Sequence, residues 1–150
     1  MRRRAFTLIE LLIVMAVIAI LIAIAIPSFR GMQNEARKTK SQGDLRVIKI
    51  AVESYYKNHT NLYPAAANYQ TTLLAAYPRI LESTLYDPFG ATSTTQYTYA
   101  LGIGSTGPSD ASYYIIYSVG PQQNGVATVD NSTGTVTASN DVIWESNGHL

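Results

Sequence analysis

FTLIELLIVMAVIAILIAIAIP, from Phe6 to Pro27, is an apolar run with one carboxylate, Glu10, near its start. From Leu11 to Phe29, nineteen residues in a row carry no charge. As a helix rising 1.5 Å per residue, they span about 28 Å, close to the thickness of a bilayer's hydrocarbon core. A charge at the centre of a membrane helix costs about 2.5–3.5 kcal/mol on insertion scales, so an acid at this place calls for a use. A removable secretory signal has a shorter apolar region followed by a small-residue cleavage site. Here Pro27 and Ser28 follow Ile26 and the helical pattern then resumes, so the run is expected to stay on the protein. Arg2, Arg3 and Arg4 precede it, and Arg30, Arg37, Lys38 and Lys40 follow, partly offset by Glu35. The positive-inside rule is nearly balanced and gives no topology.

Working outward, the pattern from Met32 to Asn58 predicts a long helix. Leu45, Ile48, Val52 and Tyr55 form one stripe, while Arg46, Lys49, Glu53 and Lys57 take the other faces. Pro27 and Gly31 are expected to bend or loosen the join between the two helical stretches. The stripe needs a cover, which predicts a head packed on the carboxyl half of the helix. After Asn58 the composition shifts to Gly, Pro, Thr, Ser, Asn and Tyr. Thr72–Ala76 reads as a short helical turn, stopped by Pro78. QYTYAL (Gln96–Leu101) and YYIIYS (Tyr113–Ser118) read as strands, separated by the breaker-rich GIGSTGPSD. ATVDNSTGTVT (Ala127–Thr137) reads as a hairpin turning at Asn131–Gly134. The tail from Ala138 reads as a loop ending in VIW and a polar terminus. The fold class is therefore α+β, a long helix carrying a small antiparallel sheet.

The net charge of +1 hides an uneven distribution. Residues 30–58 hold seven basic and three acidic groups; residues 59–150 hold Arg79 against six acids. An acidic distal part argues against nucleic acid as a partner, because that affinity rests on phosphate neutralisation by Lys and Arg. With no cysteine, disulfides and thiolate metal sites are excluded. Were copies of the chain to assemble, the basic neck of one and the acidic head of another would attract each other. Before assembly, Arg37, Lys38 and Lys40 are expected to meet anionic lipid headgroups.

Two readings of Glu10 stand side by side. Thr7-x-x-Glu10 before an apolar run fits a capping box, with Glu10 bonding back to an amide. Alternatively, Glu10 pairs with a free amine on Phe6, present only if the chain is cut between Ala5 and Phe6. Formed between two chains, that pair sets an assembly register, like a polar residue in a coiled-coil core.

RRRA followed by FTLIELL and an apolar helix resembles the class III leader and amino-terminal segment of type IV pilins and type II secretion pseudopilins. This part covers about a third of the chain and is specific. Shorter pieces of the head resemble the major pseudopilin of type II secretion. They are Tyr63–Pro64, LYDPFG (Leu85–Gly90), YYIIYSVGPQQNG (Tyr113–Gly125) and NDVIW (Asn140–Trp144), in the same order. The resemblance implies the pilin fold. It also implies a leader, residues 1–5, removed by a prepilin peptidase that cuts before Phe6 and methylates its new amine. Ala5 stands where that family usually has Gly. Residues 6–29 then span the inner membrane and later form the filament core, 30–58 form the amphipathic helix, and 59–150 form a periplasmic or extracellular head with a carboxyl-terminal loop. Assembly would rest on Phe6, Glu10, Pro27 and Gly31. Implied partners are further copies of the chain, the peptidase, an inner-membrane assembly platform and minor pseudopilins.

The same resemblance implies calcium in the carboxyl-terminal loop, where Asp141 matches a ligand position and Asn140 is a possible helper. Calcium takes about six to eight hard oxygens. Gln122 and Gln123 stand where acids are expected, and a Thr-rich hairpin precedes Asp141, so a metal-free loop is favoured.

Tyr97, Tyr99, Tyr113 and Tyr117 sit at strand spacing and are read as packing groups rather than a conducting stack. The sequons at Asn58 and Asn131 arise readily in a polar head. His59 and His149 show no metal spacing, and no catalytic constellation stands out, so no enzyme activity is expected. The function implied is that of a structural subunit in a helical pseudopilus driving type II secretion. A type IV pilus subunit for adhesion, motility or DNA uptake is the alternative, as is a single-span binding protein that never polymerises.

Overall fold

A computed structural model describes residues 6–139 and 141–149. Among them, the order is α1 (Leu8–Asn58), a 3-10 turn (Ala66–Asn68), α2 (Tyr69–Ala75), β1 (Thr98–Leu101), β2 (Tyr114–Ser118), β3 (Ala127–Val129), β4 (Val136–Ala138) and β5 (Ile143–Ser146). The chain divides between Ala36 and Arg37 into two compact units.

The amino-terminal unit is helix from Leu8 onward, and every described residue up to Ala36 is exposed in the single chain. Pro27 lies inside the helix, which runs through it and through Gly31 without interruption. Proline has no N–H, so the Ala23 carbonyl loses its partner and the ladder is weakened there by one bond.

The second unit has three layers. The stripe on α1 packs inward as its spacing predicts: Leu45, Ile48 and Val52 are fully buried, with Ala51 beside them and Tyr55 packed at the edge. Burying such side chains contributes about 1.5–3 kcal/mol each. The middle layer is an antiparallel sheet in the order β1-β2-β5. Side chains alternate across it. Tyr97, Tyr99, Tyr114 and Ile116 face the helix, whereas Ile115 faces the β3–β4 hairpin and packs with Ala127, Val129 and Val136. β2 is therefore covered on both sides, which explains its unbroken apolar character. Tyr113 and Tyr117 pack against the hairpin layer, in keeping with their reading as packing groups. The hairpin turns where expected: Gly134 has φ +74° and its N–H bonds to the Asp130 carbonyl at 3.0 Å.

One expectation is corrected. The tail is not all loop: Ile143–Ser146 forms β5 and completes the sheet, with Tyr117 opposite Trp144 and Ile116 opposite Glu145. Its alternation is too short to read locally, and its partner lies almost thirty residues earlier. Glu145 falls on the helix-facing side and accepts from Lys49 at 3.1 Å, with Arg46 at 3.9 Å.

Buried tyrosines bring polar tips that need partners. Tyr97 donates to Asp44 at 2.9 Å and Tyr114 to Glu53 at 3.3 Å, both acids on α1. Tyr69 donates to the Tyr97 carbonyl at 2.8 Å. The rings of Tyr56, Tyr63, Tyr114, Tyr99 and Tyr69 follow one another at centroid distances of 4.5, 5.1, 6.0 and 4.9 Å. Asp87, in the LYDPFG segment, is buried and fully engaged: Ser118 Oγ donates to it at 2.7 Å, Phe89 N at 2.9 Å and Val119 N at 3.0 Å. It ties the segment before β1 to the end of β2. Beyond that end, Gly120 has φ +74°, and a Cβ there would stand 2.0 Å from the Asp141 carbonyl oxygen.

Two outcomes are expected. Burial pushes the Tyr63 phenol from 10.0 up to about 12 and raises those of Tyr69, Tyr97, Tyr99 and Tyr114 further. The folded state holds these protons more tightly than the unfolded chain, so the stability they contribute is complete below the ordinary phenol value and falls as pH rises above it. Tyrosinate absorbance should accordingly lag that of free tyrosine and then appear together with loss of the near-ultraviolet circular dichroism of the fold. Separately, Asp87→Ala strands one hydroxyl and two amides, and should cost about 2–4 kcal/mol in denaturant titration of the full chain in detergent.

Candidate functional site

The helix entrance is built from Thr7 and Glu10. The Glu10 N–H donates to Thr7 Oγ1 at 3.3 Å, and Glu10 Oε2 accepts from the Thr7 N–H at 3.1 Å and the Thr7 hydroxyl at 3.0 Å. This is a reciprocal capping box: two amides that the first helical turn leaves unpaired are satisfied. The Leu11 N–H then bonds to the Thr7 carbonyl at 3.3 Å. The carboxylate lies at the helix amino end, where the macrodipole favours negative charge.

The box uses one carboxylate oxygen. Among the described residues, Glu10 Oε1 accepts no hydrogen bond and no cation pairs with Glu10. The carboxylate thus keeps acceptor capacity for a cation from outside. Around it the surface is apolar: Phe6 is 79% exposed, and Leu8, Ile9, Leu11, Leu12 and Met15 are all exposed. An ion pair formed there, once covered by apolar side chains, would be far less screened than in water. The two sequence readings of Glu10 are therefore compatible, one oxygen serving the cap and the other remaining available. Ala5 lies outside the described residues, and in the uncleaved chain the Phe6 nitrogen is a peptide amide.

Pro27 and Gly31 lie further along the same helix, and a side chain at Gly31 would meet no atom within 4 Å. At the other end of the sequence, Asp141 is partly exposed and Asn140 lies outside the described residues. Among the described residues, no group of three or more His, Cys, Asp or Glu is placed to hold a metal. Gln122 and Gln123 are exposed amides, and a single carboxylate falls short of the charged oxygen set that calcium takes. Among the described residues, the donors of this loop do not fit that ion.

Asp87 was missed as a key residue by sequence reasoning. Its signal was present in the resemblance of LYDPFG but not in any local spacing, because its partners Ser118 and Val119 lie about thirty residues downstream. His59, which showed no metal spacing, stacks on Tyr55 at 3.9 Å and bonds through Nδ1 to the Tyr55 carbonyl.

Comparison with known proteins bears on the same segment. The family described as the prokaryotic N-terminal methylation motif matches residues 1–26. The chain is 28% identical over 142 residues to a fimbrial protein of Pseudomonas aeruginosa, covering 95% of this chain and 83% of that one. It is 31% identical over 71 residues to the ComG operon protein 3 homolog of Bacillus licheniformis, covering 47% and 73%. With the type II secretion system core protein G of Pectobacterium carotovorum it shares 30% identity over 64 residues, covering 43% and 40%. No solved structure matches. A methylation motif at the head of a capped apolar helix, a likeness that continues through the sheet-bearing head, and an α+β architecture to match place this chain in the type IV pilin-like superfamily, as a structural protein and not an enzyme.

Proposed function

We propose that the chain is a subunit of a helical filament of the pilin kind. The observation that carries this reading is the amino-terminal helix, apolar and exposed on every side from Leu8 to Phe29, with a lone acid that retains a free oxygen. Such a surface needs lipid or other copies of itself as its surroundings. In this reading residues 1–5 are a leader removed by a prepilin peptidase. The peptidase cuts between Ala5 and Phe6 and methylates the new amine, which keeps its charge.

Residues 6–29 first span the inner membrane, with residues 59–150 outside the cytoplasm, and then pass into the filament core. Residues 30–58 are the amphipathic stretch between them. The Phe6 amine of one subunit meets Glu10 of its neighbour, so that two groups costly alone in hydrocarbon offset each other. Pro27 and Gly31 supply the give needed on leaving the bilayer. An assembly platform, minor subunits and lipid are the remaining partners.

The finer reading is a pseudopilus that drives type II secretion. It is supported by the head segments at Leu85–Gly90, Tyr113–Gly125 and Asn140–Trp144 and by the likeness to core protein G. A second reading, a type IV pilus subunit, is favoured by the likeness to a fimbrial protein over nearly the whole chain.

Mass spectrometry of the mature amino terminus should find methylated Phe6; an intact Met1 would sink the processing step. Glu10→Leu should insert normally. An unpaired amine in the filament core costs about 2.5–3.5 kcal/mol, so filament yield should fall about a hundredfold. Normal filament yield in that variant would sink the Phe6–Glu10 pair, and normal function in a variant that forms no filaments would leave a plain anchored protein. Deleting the gene separates the finer readings: loss of exported proteins from the medium marks the pseudopilus, and loss of surface fibres with secretion intact marks the pilus.

A further inference from the structure

The second unit carries two surfaces whose charged groups enter no ion pair among the described residues. The first is a groove where Arg37 and Lys40 of α1 face the loop from Tyr86 to Ser93, with Thr92, Ser93 and Gln123 on its rim. Arg37 and Lys40 are exposed and enter no ion pair among the described residues, whereas Arg46 and Lys49 are taken by Glu145. Asp87, the acid at the groove floor, is buried and accepts from Ser118, Phe89 and Val119, so it presents no charge at the surface there.

The second surface is a ledge made of two loops, one holding Asp110 and the other Asp130. Asn131 joins them, donating to the Asp110 carbonyl at 3.1 Å and accepting from Ser112 N at 2.7 Å. Asp110 is exposed, Asp130 partly so, and neither pairs with a cation among the described residues. Amide and hydroxyl donation from Thr106 holds Asp110 below the usual carboxylate range, and donation from Ser132 and Thr133 brings Asp130 down to about 2. Both are thus ionised at neutral and mildly acidic pH.

Groove and ledge lie at opposite ends of this unit. β2 connects them: its far end, Ser118, bonds to Asp87 in the groove, while its first residue, Tyr114, reaches Glu53 of α1 and follows directly from the ledge. On the helix, Lys40 and Glu53 are thirteen residues apart, about 20 Å. A basic pair at one end and an acidic pair at the other cannot meet within one chain. Between copies they meet head to tail, and such a contact is heterologous: it propagates without closing.

We propose that the Arg37–Lys40 groove is the docking site for the Asp110–Asp130 ledge of a second copy of this chain. The inference rests on the filament reading and adds to it a contact outside the apolar helix. The pairs are solvent-exposed, so they set register and orientation more than they add affinity.

The test uses the full chain with its processing and assembly machinery. The sequence has no cysteine, so Ser93→Cys on the groove rim and Ser109→Cys on the ledge introduce the sole thiols. Filaments treated with a short bismaleimide should give a ladder of linear multimers; either substitution alone should give none. Adding R37E/K40E should weaken the ladder about tenfold or more, as should D110N/D130N, which keeps the side-chain acceptors for the loop amides. Filaments that form without the ladder, or that keep it undiminished in R37E/K40E, overturn the contact alone. Failure of the parent chain to form any filament overturns the filament reading and the contact with it.

Discussion

Leu45, Ile48 and Val52 project from one face of α1 and cannot be buried by anything on that helix. The head exists to cover them. Its cover is made largely of tyrosine rings from β1, β2 and the segment after the helix. Tyrosine brings area and stiffness at low rotamer cost, yet each phenol carries a polar tip that is expensive to bury unpaired. The helix supplies partners from positions flanking its apolar stripe, Asp44 for Tyr97 and Glu53 for Tyr114. Polar and apolar contacts therefore fix the same register between helix and sheet. Asp87 performs the matching task at the loop end, where one carboxylate organises the segment before β1 and the turn after β2.

In the amino-terminal unit the constraint is inverted. From Leu8 to Phe29 nothing among the described residues covers the helix, and its one charged group is an acid among exposed apolar side chains. The capping box gives that acid a structural task that every copy performs alone. It also orients the carboxylate at the helix entrance and occupies only one of its oxygens. A group held in place by its own chain and still able to accept is well suited to recognise a cation on another molecule, because little conformational freedom is lost on pairing.

A filament of such subunits has two kinds of surface to match. The apolar helices associate without directional preference, since burial scales with area. Direction, register and spacing have to come from polar groups, which penalise wrong arrangements strongly even where they add little to affinity. The lone acid and the separated charged ends of the head are both of this kind.

The long helix, its apolar and amphipathic stretches and the cap at Thr7 and Glu10 were all legible along the chain, because each rests on contacts between residues three, four or seven positions apart. The strands at Thr98–Leu101 and Tyr114–Ser118 and the turn before Gly134 were legible for the same reason: alternation and turn chemistry are local. Beyond the reach of local pattern were β5, whose four residues become a strand only because β2 offers them a free edge, and the burial of Asp87, whose partners come from a distant loop. The tyrosine–acid pairs between sheet and helix, and the placing of Arg37 and Lys40 at one end with Asp110 and Asp130 at the other, belong with these. Such features depend on long-range closure of the chain, where many pairings of short segments are nearly equal in local energy and the choice falls to the packing of the whole.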